Sequence, residues 1–296
     1  MMATALAHDG HATLALPALV LAGLLATIGL QAGGLSLLNP AAAGLAPRTT
    51  LVEPQPYAYR APGEFLLGTS VVDGPLITVA APAPLEIMTY QVSAAEYARC
   101  VADAACRRAE PRRRGLGDVP ATGVSFDDAT DYARWLSAKT GDNWRLPTLP
   151  EWVQAAGERA VDPALHLEGT GNPADRWLAA YERETELGGE VTAPSARGTF
   201  GTNEHGVADL GGSVWEWTTT CSSRTTLGPA GETLSHLETC GVKVLEGRHR
   251  TRLSDFVRDA RAGGCSTGVP PDNLGFRLVR DPGLLEAALR WIGFGR

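Results

Sequence analysis

The stretch from Asn203 to Trp217, reading NEHGVADLGGSVWEW, constrains this 296-residue chain more than any other. Gly206, Gly211 and Gly212 supply positions where the backbone can turn through positive φ or approach another group closely. Val214, Trp215 and Trp217 then add β-favouring bulk. The spacing predicts a tight loop feeding a short strand. Asp209 and Glu216 lie on either side of the Gly-Gly turn, and two carboxylates brought together repel unless a cation or hydrogen-bond donors intervene. A hard, oxygen-seeking ion such as calcium is one solution. A surface turn carrying two solvated acids is the other.

The formal net charge of −7 gives no general attraction to nucleic acid or to an anionic membrane surface, so no nucleic-acid partner is expected. CxxC, HExxH and GxxxxGK[ST] are all absent from the sequence. The five cysteines, Cys100, Cys106, Cys221, Cys240 and Cys265, lack zinc-finger spacing. Their scatter fits two disulfides and one leftover thiol in an oxidising compartment, with five buried thiols in a cytosolic protein as the alternative. Short local pairing is geometrically easy, which predicts Cys100 with Cys106 and Cys221 with Cys240, leaving Cys265 reduced, with a pairing of Cys265 to Cys221 or Cys240 as the open alternative. On a continuous helix Cys100 and Cys106 would be too far apart to bridge, so the helix must end near Asp103 and the chain turn back.

Residues 1–11 form an N-terminal tail. Ala12 to Leu30 carries no charged residue, and as a helix it reaches about 28 Å, nearly the hydrocarbon thickness. Light polar cover up to Leu38 extends the expected transmembrane anchor to 12–38, and a cleaved signal peptide ending near Ala41-Ala42-Ala43 is the rival. The first basic residue is Arg48, after the span, so the positive-inside rule does not favour an outside domain. The cysteine pattern points the other way and decides the expectation: a single-pass inner-membrane protein with its globular domain in the periplasm. Residues 39–62, rich in Ala, Pro and Gly, read as a linker.

From Gly63 the pattern is globular. GEFLLGTS reads as a strand and turn, and LITVAAPAPLEIMTYQVS as strand material broken by prolines. Ser93 with Glu96, Ser125 with Asp128, and Thr148 with Glu151 carry capping-box spacing ahead of three helices, with Pro150 tolerated in the first turn of the third. Trp144, Trp152 and Val153 read as core. Residues 107–114 form an arginine-rich loop, and residues 162–200 lose the strand signal, with one exposed helix expected at LAAYERETELGG. Cys221 to Cys240 reads as a polar loop closed by a disulfide, followed by the strand KVLEG. RHRTRLSDFVRDARAGGC is dense in charge, and His249, Arg250, Ser254, Asp255, Arg258, Arg261 and Cys265 are its candidate groove or ligand residues, with a solvated salt-bridged surface as the alternative. NLGFRLV reads as a closing strand, and residues 282–296 as an amphipathic C-terminal helix.

Taken in order, GEFLLGTS, VSAAEYARC, VPATGVSFDDATDYARWLS, NWRLPTLPEW, NEHGVADLGGSVWEW and NLGFRLV resemble the formylglycine-generating enzyme (sulfatase-modifying factor) superfamily, over roughly Gly63 to Arg280. The resemblance implies one mixed α+β domain, residues 63–281, with a loop-rich, C-type-lectin-like fold. It also implies a structural calcium ion held by side-chain oxygens of Asp209 and Glu216 and main-chain oxygens of Gly212 and Val214. Ser213 stands where the family usually has Asn, and Leu149-Pro150 where it usually has Glu-Ala. Catalytic members carry two cysteines five residues apart before the N-[LI]-G-F-R strand, which bind copper(I) and oxidise a substrate cysteine. Here Val257 and Ala262 occupy the approximate positions, so copper is not expected and no catalytic residue is assigned.

The N-terminal segment, PLEIMTYQVSAAEYARCVADAAC, EGRHRTRLSDFVRDARAGGC and PPDNLGFRLV further resemble the accessory protein of bacterial copper nitrite reductases. The expected function is therefore that of a membrane-anchored accessory or maturation protein whose partner is a periplasmic nitrite reductase. A formylglycine-generating or related oxidase, and a polar-ligand module in the lectin manner depending on Arg250 or Asp255, are the alternatives.

Overall fold

The computed structural model describes residues 44–167, 173–188, 193–261 and 273–283. The anchor expected at 12–38, Cys265 and all but the first two residues of the expected C-terminal helix lie outside them. No described helix is long and apolar enough to cross a membrane. The described residues divide into two units, and the larger one, Pro47–Ala138 with Trp144–Asp281, carries the core and every site considered below.

Its architecture is mixed α+β. β1 (Thr49–Val52), β6 (Leu85–Met88), β12 (Val279–Asp281) and β7 (Asn143–Arg145) form one sheet in that spatial order. β10 (Thr251–Ser254), β9 (Thr233–Glu246), β8 (Trp215–Leu227), β3 (Glu64–Leu67) and β4 (Ser70–Val72) form a second, in which β11 (Leu274–Gly275) also pairs with β8. β2 (Tyr57–Arg60) pairs with β5 (Leu76–Val79). The helices are α1 (Ala94–Ala102), α2 (Phe126–Thr140), α3 (Leu149–Ala156) and α4 (Pro173–Gly188).

The local signals fold as their chemistry requires. Ser93 Oγ accepts the Glu96 N–H at 3.1 Å while Glu96 accepts the Ser93 N–H at 2.7 Å, so two otherwise orphan donors at the start of α1 are satisfied. Thr148 and Glu151 do the same for α3. At α2 the Ser125 N–H donates to Asp128 at 2.9 Å and the Asp128 N–H to Ser125 Oγ at 3.2 Å. Each such cap contributes about 0.5–2 kcal/mol. Helix α1 ends at Asp103, and Ala104 turns back with φ 57°, which brings Cys106 within 5.3 Å of Cys100, Cα to Cα, for their disulfide.

Two regions differ from the sequence reading. The supposed linker already contains β1, which pairs with β6, and β2. Those strands are only 4 residues each, and their pairing partners lie far along the chain, so no local pattern marks them. The supposed polar loop between Cys221 and Cys240 is instead a long antiparallel hairpin of β8 and β9, closed by the predicted disulfide. NLGFRLV, read as one strand, is split into β11 and β12 by Phe276, Arg277 and Leu278.

The core gathers around α3, which packs against β2, β6, β8 and β9. Trp152, Leu149, Ile87 and Val244 are almost wholly removed from water there, each such side chain contributing about 1.5–3 kcal/mol. A second cluster sets Phe276 edge-on to Tyr97 and Tyr132. Between the two lies a buried ion pair. Arg277 donates from Nε to Glu216 Oε2 at 2.6 Å and from Nη2 to Glu216 Oε1 at 2.7 Å, and both side chains are essentially inaccessible. Its remaining N–H groups reach the carbonyls of Met88, Thr89 and Ala208 at 3.3, 3.1 and 2.9 Å. All five guanidinium donors are thereby used.

Removing one charge would strand the other in the core. Glu216→Gln is expected to lower unfolding stability by about 3–5 kcal/mol, and Glu216→Gln combined with Arg277→Met by clearly less than the sum of the two single changes. Denaturant titration of the three variants checks this; strict additivity would show that the pair is not coupled.

Candidate functional site

The Asn203 to Trp217 loop is tied down at every polar position. The Asn203 side chain accepts the N–H groups of His205 and Val207 and donates to the carbonyls of Ala155 and Ala156 at 2.7 and 3.0 Å, which closes the end of α3. Asp209 sits at φ 58°, and its carboxylate takes the N–H groups of Gly198 and Phe200 at 2.5 and 2.9 Å. Glycine is required at 212, where a Cβ would lie 2.6 Å from the Phe200 ring. Ser213 is not idle either, since its hydroxyl accepts the Ser195 N–H and its carbonyl accepts from the Asn273 side chain.

This arrangement does not fit the calcium ion expected from the sequence. Glu216 Oε1 accepts from Gln91 Nε2 at 2.8 Å as well as from Arg277, and Oε2 accepts from Trp152 Nε1 at 3.0 Å as well as from Arg277. Its four lone-pair positions all face donors. The Gly212 carbonyl accepts the Arg248 Nε–H at 3.2 Å, and Val214, the remaining expected ligand, is a buried apolar residue of the same turn. Guanidinium groups thus sit on two of the four expected ligands, and a second cation there would be repelled.

The charged segment after β9 is also redistributed. His249 is buried edge-on against Trp215, with ring centroids 5.2 Å apart, and its carbonyl takes the Trp215 indole N–H at 3.0 Å. Arg258 is drawn to Asp128 at the start of α2 at 2.5 Å and to Glu110 at 2.8 Å. Ser254 ends β10 opposite Val242, Asp255 bonds through its backbone to Gly241 and Phe126, and Arg261 is exposed. Of the proposed groove residues that are among the described ones, only Arg250 lines the cavity considered next.

That cavity, of about 560 Å³, opens between the β3–β4 hairpin, β10 and the segment leading into α4. Its wall carries Arg60, Arg176, Arg250 and Arg252 among apolar groups such as Leu67, Val71 and Trp177. Arg60 pairs with Asp162, Arg176 with Asp73 and Arg250 with the buried Glu246. Burial pushes the Glu246 carboxyl up, against the pull of Arg250. Arg252 is exposed and has no carboxylate partner among the described residues. Trp177, 52% exposed, stacks on Tyr181 at 5.7 Å. A volume in this range suits one small ligand or a few residues of peptide, and the mixture of apolar wall and unpaired guanidinium suits an apolar group that carries an anion. Alternation along an extended chain puts residues 250 and 252 on one face, so Arg252 was legible beside Arg250. Arg60 and Arg176 come from the supposed linker and from an insertion without periodic pattern, and no local signal marks them.

Asp73 fixes the insertion to the sheet through Arg176 and the N–H groups of Leu165 and His166, at 3.1 and 2.9 Å for the latter two. Partial burial raises its carboxyl pKa, but these donors more than offset that and hold it below the ordinary 3.8. Its stabilisation is therefore complete above that ordinary value and is lost as pH falls through the lower folded value. Protection of α4 amides, taken relative to their intrinsic exchange rate at each pH, should fall on acidification or in Asp73→Asn before protection in α3 changes; simultaneous loss in both helices would contradict this. For the turn, melting should be the same in EGTA and in millimolar calcium, and a calcium-dependent rise in melting temperature would reinstate the ion.

The matching family model, the sulfatase-modifying factor enzyme 1-like domain, covers residues 45–282. The formylglycine-generating enzyme of Streptomyces coelicolor is 29% identical over 185 residues, covering 59% of this chain and 56% of that protein. The inactive C-alpha-formylglycine-generating enzyme 2 of Mus musculus is 27% identical over 173 residues, covering 56% of this chain and 50% of that protein. The chain thus spans about half the length of the curated relatives it matches. Among solved structures, PvdO from Pseudomonas aeruginosa superposes with a TM-score of 0.52 at 22% identity, covering 81% of this chain and 96% of that one, a likeness of fold. Matched from before β1 to the end of β12, the chain belongs to the family of sulfatase-modifying factor enzyme 1-like (FGE-sulfatase) domains.

Proposed function

We propose that this chain is a membrane-anchored, extracytoplasmic accessory member of the family, which binds a protein partner and does not convert a cysteine to formylglycine. The observation that carries the reading is a count of thiols. The sequence has five cysteines, and Cys100–Cys106 and Cys221–Cys240 are bonded, which leaves Cys265 alone. A two-thiolate copper(I) site needs a pair. Val257, at the approximate position of the first family cysteine, is buried and offers no ligand atom. The residues present do not fit copper, and a relative named as inactive supports the idea that the scaffold serves without the oxidase.

The anchored, periplasmic placement is supported by the uncharged stretch Ala12 to Leu30 together with the two disulfides. The arginine-lined cavity is the proposed docking site, with an apolar, acidic segment of the partner laid against Trp177 and Leu67 and its carboxylate on Arg252. The partner named, a periplasmic copper nitrite reductase, rests on the sequence resemblance described above.

One experiment tests both parts. The full chain, purified from membranes of a denitrifying host, is assayed with copper and a CxPxR peptide, and its co-purifying proteins are identified with and without Arg252→Glu. No aldehyde above the no-enzyme control is expected, and a nitrite-reductase component should be captured by the wild type and reduced about tenfold or more by the variant, as for the loss of one charge-assisted contact at an interface. Aldehyde formation would overturn the non-oxidase reading, and absence of any nitrite-reductase component would overturn the partner.

A further inference from the structure

The β8–β9 hairpin contains a buried cation that neither the core nor the cavity explains. Lys243 is only 9% exposed. Its ammonium group donates to the Thr219 carbonyl at 3.4 Å, lies 4.6 Å from the centre of the Phe126 ring, and contacts Cys221 Sγ at 3.5 Å. No carboxylate is among its partners in the described residues. Burying an ammonium without a counter-ion is costly, and a carbonyl and an aromatic face compensate only in part. Of its partners among the described residues, the one that can become an anion is Cys221 Sγ, once its disulfide is opened.

The strands are built so that the bond can be reached. Cys221 pairs with Lys243 and Ser222 with Thr239, so residues 240–242 are pushed out of the ladder as a bulge. Cys240 is exposed and Cys221 half-buried, whereas Cys100 and Cys106 of the other disulfide are 0% and 8% exposed. The Glu238 carboxylate lies within 4.8 Å of both sulfurs and opposes ionisation there, but it is exposed to water and correspondingly screened. Asp127 and Asp255 flank Phe126 in sequence and in hydrogen bonding, while the further acids of α2, β8 and β9 are held by arginines, Asp128 by Arg258, Asp131 by Arg134, Glu216 by Arg277 and Glu246 by Arg250. Opened, the two sulfurs and Glu238 could form a metal set, but the buried ammonium beside Cys221 disfavours a cation and favours a bare thiolate.

We propose that Cys221–Cys240 is an exchangeable disulfide whose substrate is a pair of cysteine thiols on another polypeptide. The incoming thiolate attacks the exposed Cys240 sulfur. A new S–S bond forms to Cys240, the Cys221–Cys240 bond breaks, and its electron pair leaves on Cys221 as a thiolate facing Lys243. The second thiol of the substrate, deprotonated by solvent, then attacks its own sulfur in the mixed disulfide and expels Cys240 as a thiolate, which takes up that proton. The substrate leaves as a disulfide and the hairpin holds a dithiol, two electrons having passed to it. A stabilised leaving thiolate speeds the first step and stabilises the reduced hairpin.

The test uses the full chain in glutathione buffers, with acid quenching, alkylation and mass spectrometry of each cysteine pair. Cys221–Cys240 should be reduced at least about tenfold faster than Cys100–Cys106, and in the reduced protein Cys221 should titrate below the ordinary thiol value of about 8.5 by its alkylation rate. Lys243→Met should slow reduction and move that titration upward, and Lys243→Arg should restore both in part. Cys221→Ser, with Cys240 left to form the mixed disulfide and nothing to resolve it, should accumulate a glutathione adduct on Cys240. Equal resistance of the two disulfides, or a Cys221 titration at or above the ordinary value, would overturn the proposal even if Lys243→Met fails to fold.

Discussion

The structure depends on one buried ion pair, Glu216 with Arg277. A carboxylate and a guanidinium removed from water are tolerable only when every remaining donor and acceptor is met, and here the demand is met by three separate segments. Gln91 comes from the chain after β6, Trp152 from α3, and the carbonyls of Met88, Thr89 and Ala208 from the end of β6 and from the central loop. Neither charge can be satisfied unless all of these segments are in place. The pair therefore contributes specificity of arrangement as much as stability, because a slip in any segment would leave a buried group without its partner.

That network changes the meaning of the acidic, glycine-rich turn. Asp209 and Glu216 look from their spacing like two halves of a cation site. In the folded protein each has its own donors: backbone N–H groups for Asp209, and Arg277, Gln91 and Trp152 for Glu216. The repulsion that a metal would relieve is instead relieved by fixed N–H groups, two of them from a guanidinium 61 residues away in sequence.

The same scaffold carries two features outside that network. One is the cavity, where an insertion between α3 and the central loop lays Arg176 and Trp177 beside arginines from two other parts of the chain. The other is the hairpin disulfide with its unpaired ammonium. Both are placed on strands of the second sheet, so the rigid ladder that shapes the core also holds the polar groups at its edge in fixed positions. The resemblance read from the sequence implies oxidative chemistry on a thiol pair, at whose approximate positions this sequence has Val257 and Ala262; the described scaffold positions charge and a disulfide.

The sequence by itself determined the elements whose chemistry is local. The three caps, Ser93 with Glu96, Ser125 with Asp128 and Thr148 with Glu151, formed as read, because donor and acceptor lie three residues apart and need no tertiary partner. Both disulfides joined the expected residues, and the ordered motifs gave the family and its mixed α+β fold. Tertiary structure decided the rest. β1 and β2 are strands only because β6 and β5 accept them, and the parts of β8 and β9 between Cys221 and Cys240, rich in Thr and Ser, read as loop until they pair with each other. It also decided that Glu216 faces Arg277, that His249 packs on Trp215, and that Lys243 lies beside Cys221. Each of these depends on which distant group fills the space opposite, and a buried charge takes its role from that neighbour.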